Sequence, residues 1–263
     1  MQTKRTPIIT LTTDFGQRDG YVGSMRGVIL SICPQARLTD LSHDIPPQDI
    51  QSAAFILYQA FFFYPSHTIH CVVVDPGVGS KRRAVAVHTD RGIFVGPDNG
   101  VFSLVLNLAN VNVDETVTLT NPDFQLPNVS ATFHGRDIFA PAAAHIANGL
   151  PLRKFGPPAI NLVQLISAKR SEADLCRIIH IDHFGNLVLS VTASHIKDPE
   201  RVTFVLGDKV IKSLNSTFAD VAEGQLLAYI GSSWDHIEIA TRNGNAAREL
   251  GARVGDVVKL IEA

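Results

Sequence analysis

The chain has 263 residues, 45% of them apolar and 18% charged, with 23 Lys and Arg against 25 Asp and Glu for a formal net charge of −2. That length buries a substantial core in one large or two modest domains, and the near-neutral balance excludes any composition-level case for a nucleic-acid or anionic-membrane partner. The three cysteines, Cys33, Cys71 and Cys176, are too scattered for a disulfide framework or a zinc pattern, and the longest apolar stretch (53–63) is too short to span a bilayer.

Met1 is followed by polar and basic residues rather than a secretory h-region, so a cytoplasmic protein is expected. Residues 7–13 (PIITLTT) predict a strand, and 21–32 carry helical spacing. A short strand at 36–41, a helix over 49–64 and a strand at 68–74 follow. Strands at 84–88 and 92–95, then helices over 99–108 and 136–147, complete the first half. Alternating strands and helices predict a mainly parallel sheet with helices on both faces, whose ligands sit beyond the carboxyl ends of the strands. Asp14 and Asp75 both fall at such ends.

Past Gly149, prolines 151, 157 and 158 punctuate a linker-like stretch. From Cys176 onward alternating runs dominate (CRIIHID, NLVLSV, RVTFVL, QLLAYI, HIEIA, VVKLIEA), separated by turn signals such as Gly185-Asn186 and Asn243-Gly244. An α/β domain over 1–165 and a smaller all-β, barrel-like domain over 166–263 are expected.

Several short stretches carry chemistry as well as turns. In VVVDPGVGSKRR a covered strand ends in Asp75, and two arginines, Arg82 and Arg83, follow within eight residues. Pro76 and Gly77 make a plain turn, which by itself accounts for the aspartate. TTDFGQRDG places Asp14 and Asp19 on the loop after the first strand, as ribose or ammonium acceptors or simply as caps. That loop has neither a dinucleotide fingerprint nor a P-loop. SATFHGRDIF sets His134 ahead of a helix start. IDHFGNLVLS places Asp182, Phe184 and Asn186 at one hairpin end, where Asn can read an adenine edge and Phe can stack, or all three can serve the turn alone. Ser232 and Ser233 lie near a strand start, and Asn245-Ala246-Ala247 opens a short helix. No His, Cys and carboxylate spacing forms a metal site; His43-Asp44 is only a pair, so no metal is expected.

TTDFG, ICP (32–34), DPGVGS (75–80), GPDNG (96–100), TFHGRD (132–137), IDHFGN (181–186) and NAA (245–247) occur in that order across nearly the whole chain. Together they resemble the S-adenosyl-L-methionine (SAM) hydroxide adenosyltransferases, also called adenosyl-forming SAM hydrolases, which are relatives of the SAM-dependent fluorinase and chlorinase. The resemblance implies hydrolysis of SAM to adenosine and L-methionine with no cofactor, SAM being the substrate. It implies a homotrimer with the site between neighbouring subunits, and a catalytic Asp, Arg and His falling on Asp75, Arg82 and His134. Arg83 competes for the arginine role. By the same resemblance Asp14 holds the ribose, and Asp19, Asp182, Ser232 and Ser233 lie near the methionine end. Asn186 and the Ala246 backbone meet adenine, and Phe133, Phe184 and Phe218 supply apolar walls.

The halogenating relatives carry a tyrosine where Asp75 stands and an extra loop after the strand that here ends near His88, so both differences favour water as nucleophile. The stretch Trp234-Asp235-His236 is one residue longer than the relatives' version. The competing expectations are a SAM halogenase, a non-catalytic SAM- or adenosine-binding protein and, more remotely, a metal hydrolase built on His43 and neighbouring carboxylates.

Overall fold

The computed structural model describes residues 6–108, 111–165, 175–232 and 234–262. Two compact units divide the chain, Met1–Ala168 and Lys169–Ala263. The first holds strands β1 (Ile8–Thr13), β2 (Arg37–Ser42), β3 (Ile69–Val73), β4 (Ala84–Thr89), β5 (Gly92–Pro97) and β6 (Val113–Thr118). Its helices are α1 (Tyr21–Ile32), α2 (Ile50–Ala60), α3 (Ser103–Leu108) and α4 (Ala140–Ala147).

The six strands form one sheet in the order β2-β1-β3-β5-β4-β6. β2, β1, β3 and β5 pair in parallel, while β4 runs antiparallel to both neighbours. Side chains alternate between faces. Ile9, Leu11, Ile69, Cys71 and Val73 join Val22, Met25 and Ile29 of α1 and the alanines of α4 in one apolar cluster. The intervening His70 faces the other layer, stacked on Phe94 with ring centroids 5.2 Å apart and edge-on to Phe61, which follows α2.

The main departures from the sequence pattern have identifiable physical causes. The α-helix expected to reach residue 64 stops at Ala60, and Phe61–Phe63 continue as a 3₁₀ turn ahead of Pro65. The helix expected from 136 opens instead as a π-helical turn, Gly135–Phe139. Pro141 has no N–H to give the Asp137 carbonyl, which accepts from the Leu126 N–H at 2.9 Å instead. β6 (VDETVT) was unmarked in the sequence because it is a half-exposed, acidic edge strand without an apolar run. β4 and β5 join through only Asp90 and Arg91, an antiparallel hairpin inside a mainly parallel sheet.

The second unit contains β7 (Leu175–Ile181), β8 (Leu187–Thr192), β9 (Val202–Leu206), β10 (Lys209–Lys212), β11 (Leu226–Ile230), β12 (His236–Thr241), β13 (Val257–Glu262) and a short helix α5 (Ala246–Leu250). These strands pair antiparallel in the order β10-β9-β13-β7-β8-β12-β11. A bridge from Asn215 to Tyr229, beside the two edge strands, makes the sheet a nearly closed barrel. Phe204, Ile178, Leu187, Leu189, Ile237 and Ile239 fill it. Only β10, four residues flanked by lysines, was not expected. No helix among the described residues is long and apolar enough to cross a membrane.

His70 Nδ1 lies 2.9 Å from Thr10 Oγ1, and burial lowers the His70 pKa to about 3. A protonated ring has no acceptor for its Nε2–H in this apolar layer. The folded value lies below the unfolded one near 6.5, so the unfolded chain binds the extra proton and stability falls as pH drops below about 6.5. Between pH 7 and pH 5 this one group is expected to cost about 2 kcal/mol. Urea unfolding at the two pH values should therefore show that much more loss in the parent than in His70→Gln; equal losses would disprove the assignment.

Candidate functional site

Thr13 of β1 lies in register with Val73 of β3. The chain therefore delivers Asp14 and Asp75 from adjacent parallel strand ends, where such sheets bind ligands. Both line a cavity of about 390 Å³ whose walls include Phe15, Tyr21, Pro47, Gln48, Val73, Pro76, Val78, Thr132, Phe133 and His134. That volume lies within the range of small-molecule sites, about 300–1,000 Å³.

The segment after β3 reverses twice. Val78 N–H donates to the Asp75 carbonyl at 3.1 Å, and Ser80 N–H to that of Gly77 at 3.1 Å. Ser80 Oγ donates to the Gly77 carbonyl at 2.7 Å and accepts from Arg82 N–H at 3.2 Å. Gly79 has φ +75°, and a Cβ there would sit 2.4 Å from the Ala131 carbonyl. Only glycine lets this turn lie against the strand of chain that carries Thr132, Phe133 and His134. At the base of the turn, Asn99 Nδ2 donates to the Val74 carbonyl at 2.9 Å.

The outcome is a buried ion pair with a half-buried histidine beside it. Arg82 Nε lies 2.9 Å from each Asp75 oxygen, and Arg82 Nη2 also bonds Asp75 Oδ2. The two side chains are 5% and 10% exposed, Asp75 and Arg82 respectively, so each charge depends on the other for compensation. Arg82 Nη2 reaches His134 Nδ1 at 2.7 Å, and the guanidinium carbon lies 5.1 Å from the centre of the Phe139 ring. A guanidinium has no acceptor, so His134 Nδ1 must offer its lone pair and a neutral ring carries its proton on Nε2. Burial, then the Arg82 charge, holds the His134 pKa below its ordinary value, against opposing pulls from Asp75 and Asp137.

Arg83 turns away from this triad. Its Nε donates to Asp98 Oδ2 at 2.8 Å and its Nη atoms to the Ile160 and Asn161 carbonyls at 2.8 and 3.0 Å. Of the two adjacent arginines, Arg82 is the one at Asp75.

The remaining expected residues fall in different places. Asp14 Oδ2 accepts from Gln48 N–H at 2.8 Å. Phe133 packs edge-on against Phe15 and Tyr21 at 5.7 and 5.2 Å. Asp19 is exposed on the loop before α1 and does not line the cavity. Asp182, Phe184 and Asn186 share one turn of the second unit. Asp182 Oδ1 accepts from the Phe184 and Asn186 amides at 2.9 and 2.8 Å, and its Oδ2 accepts from Asn186 Nδ2 at 2.8 Å. Phe184 is 72% exposed. Ala246 is buried in α5 beside that turn, because Ala247 N–H donates to the Gly185 carbonyl at 2.9 Å. Phe218 packs on Tyr229 at 5.0 Å. Tyr229 in turn donates to Glu238, and burial raises the pKa of both groups. Ser232 is exposed, and Ser233 lies outside the described residues. Trp234 and Asp235 both take left-handed backbone, the geometry of a tight hairpin tip.

The sequence reading had not assigned Phe15, Tyr21, Thr132 or the Pro47-Gln48 turn to the site. Phe15 sits inside the TTDFG motif and was visible there. Gln48 had no signal at all: its φ of +67°, rare for a side-chain-bearing residue, aims its N–H at Asp14.

Residues 9–156 match the SAM hydroxide adenosyltransferase N-terminal domain, and 176–259 the C-terminal domain of the same family. A (R)-S-adenosyl-L-methionine hydrolase from Salinispora tropica is 40% identical, with 97% of this chain and 98% of that protein covered. One from Thermus thermophilus is 36% identical over 95% and 97%. A fluorinase from Nocardia brasiliensis is 25% identical over 97% of each chain. The solved structure of an uncharacterized conserved protein from Thermotoga maritima superposes with a TM-score of 0.88 at 34% identity, covering 97% of this chain and all of that one.

The charges around His134 make opposite predictions for two variants. Arg82→Gln removes a group that lowers its pKa, and Asp75→Asn removes one that raises it. NMR titration of the His134 ring should show a midpoint below 6.5 in the parent, an upward move in Arg82→Gln and a downward move in Asp75→Asn. Shifts of the same sign would contradict the triad.

Proposed function

The chain belongs to the SAM hydroxide adenosyltransferase family, and from that premise we propose that it hydrolyses SAM to adenosine and L-methionine by in-line attack of water at C5′. The observation that carries the mechanism is Arg82 bonded to both Asp75 and His134, two groups of the cavity wall. A water oxygen forms the new bond to C5′ while one of its protons passes to the Asp75 carboxylate. The C5′–S bond breaks with its electron pair going to sulfur, so methionine leaves as a neutral thioether and needs no general acid. Asp75 takes the proton because the only lone-pair nitrogen of His134 already accepts from Arg82. His134 Nε2–H then acts as a donor that orients the water, and Arg82 stabilises the developing hydroxide character. Because a cation meets a developing anion, a dry pocket favours the reaction, and Phe15, Tyr21 and Phe133 supply apolar wall toward it.

Two features support water over halide as nucleophile: a carboxylate at position 75, and the two-residue β4–β5 connection that leaves no room for the loop of the halogenating relatives. The Salinispora and Thermus relatives are hydrolases of the (R) form, so (R)-SAM is the proposed substrate. Asp14 is proposed to hold the ribose hydroxyls. By family resemblance we also propose a cytoplasmic homotrimer in which Asp182, Phe184, Asn186, Phe218, Ser232 and Ala246 of the second unit contribute substrate contacts.

Incubation with each SAM epimer in oxygen-18 water, with and without chloride or fluoride, should yield adenosine labelled at the 5′-hydroxyl and equimolar methionine, with the (R) form turned over faster. A halonucleoside would overturn the hydrolase reading, and intact ligand after hours would indicate a binding protein. Asp75→Asn should lower kcat about 10²–10⁴-fold. Arg82→Lys should also lose activity, because a point ammonium cannot hold both Asp75 and His134. Arg83→Lys should keep kcat and lower Tm, since its losses fall on Asp98 and residues 160–161. Light scattering should return the mass of three chains.

A further inference from the structure

The geometry points to His43 as a positioning residue for the ribose-binding carboxylate, acting through Thr13 and backed by Asp40; this rests on the reading of Asp14 given above. His43 lies on the loop between β2 and α2, and its side chain is fully buried. His43 Nδ1 lies 2.8 Å from Thr13 Oγ1. Thr13 Oγ1 also accepts from Phe15 N–H at 3.3 Å, so its own hydroxyl proton is available to His43 Nδ1. The His43 main-chain carbonyl accepts from Gly16 N–H at 2.8 Å. Residues 13, 15 and 16 are thus tied to this one histidine, and Asp14 stands between them.

The back of the ring is anchored as well. His43 Nε2 lies 3.0 Å from Asp40 Oδ1, close to the carboxylate but without the alignment of a hydrogen bond. Asp40 Oδ2 is held in turn by Arg26 of α1. With Nδ1 accepting from the threonine, the ring proton sits on Nε2, the nitrogen that faces the carboxylate. The chain Arg26–Asp40–His43–Thr13 therefore links α1, β2, the β2–α2 loop and the end of β1. Asp14 receives a second tether from the same loop, through Gln48 N–H.

Thr13 and His43 are buried and make no contact with the cavity, so neither touches substrate. Their effect reaches the reaction through the placement of Asp14. A carboxylate displaced by about an ångström loses its hydrogen bonds to a bound hydroxyl, while the triad at Asp75 is untouched. The defect should accordingly appear in binding and in ribose recognition rather than in the chemical step.

The test compares kcat/KM for SAM with that for its 2′-deoxy analogue in the parent and in Asp14→Asn, His43→Leu, His43→Asn and Thr13→Val. Asp14→Asn should lower the preference for SAM about 10- to 100-fold, as expected for losing hydrogen bonds to a charged acceptor. His43→Leu should lower it by a similar factor, raising KM for SAM with kcat kept within about threefold of the parent. His43→Asn puts a carboxamide oxygen near the Nδ1 position and should restore most of the preference. Thr13→Val deletes only the hydroxyl at constant shape and gives the same readout if His43→Leu does not fold. If Asp14→Asn lowers the preference while neither His43→Leu nor Thr13→Val does, the positioning role is wrong and the ribose reading stands. If both substrates suffer equally in the His43 and Thr13 variants, those residues serve only folding, and the inference fails. If Asp14→Asn leaves the preference intact, the ribose reading falls and takes the positioning role with it.

Discussion

A nearly fully buried carboxylate cannot remain charged without a partner, and the Asp75–Arg82 pair is the constraint around which this site is arranged. Removing one member leaves an uncompensated charge worth about 3–5 kcal/mol. The double turn from Asp75 to Ser80, the glycine pressed against Ala131 and the Asn99 brace on Val74 all serve to bring the guanidinium back to the carboxylate seven residues earlier. Once seated, Arg82 has donors to spare, and the one directed at His134 Nδ1 selects the histidine's tautomer. The electrostatics of the pair thus extend into the assignment of proton donor and proton acceptor for the proposed reaction.

Parallel pairing supplies the second element. In-register strands deliver Asp14 and Asp75 to one rim, and the two then belong to separate support systems. Asp75 is held by Arg82, which also bonds His134, whereas Asp14 is held by the backbone N–H of Gln48 from the β2–α2 loop. The π-helical turn that begins at Gly135 packs close to Met25, Phe15 and Val73 and sets His134 at the junction of the two. One aromatic wall, Phe15 with Tyr21 and Phe133, spans the space between them. A change in either support alters one group without needing to move the other.

Most elements were legible because their periodicity is local. The bounds of α1 at 21–32 follow from helical spacing, and the strands of both units from alternation or short apolar runs. The exceptions are elements whose causes are not local. β6 is recognisable only beside β4, and β10 only beside β9. The π-helical turn depends on Leu126 supplying the donor that Pro141 lacks. Asp75 and His134 stood out as isolated motif residues, and the structure brings them to one cavity wall.

The sequence by itself determined the two kinds of architecture and the order of motifs across them. Composition, periodicity and turn chemistry are properties of neighbours along the chain, so they survive without coordinates. Only the tertiary structure decided between Arg82 and Arg83, because adjacent residues at the start of a strand face opposite ways and the choice depends on what each meets, Asp75 or Asp98. It alone turned His43 from half of an apparent His-Asp pair with Asp44 into a partner of Thr13 thirty residues away. Those assignments belong to contacts across the fold, and charge and hydrogen-bond satisfaction in a buried space are set by whatever the folded chain brings within about 3 Å.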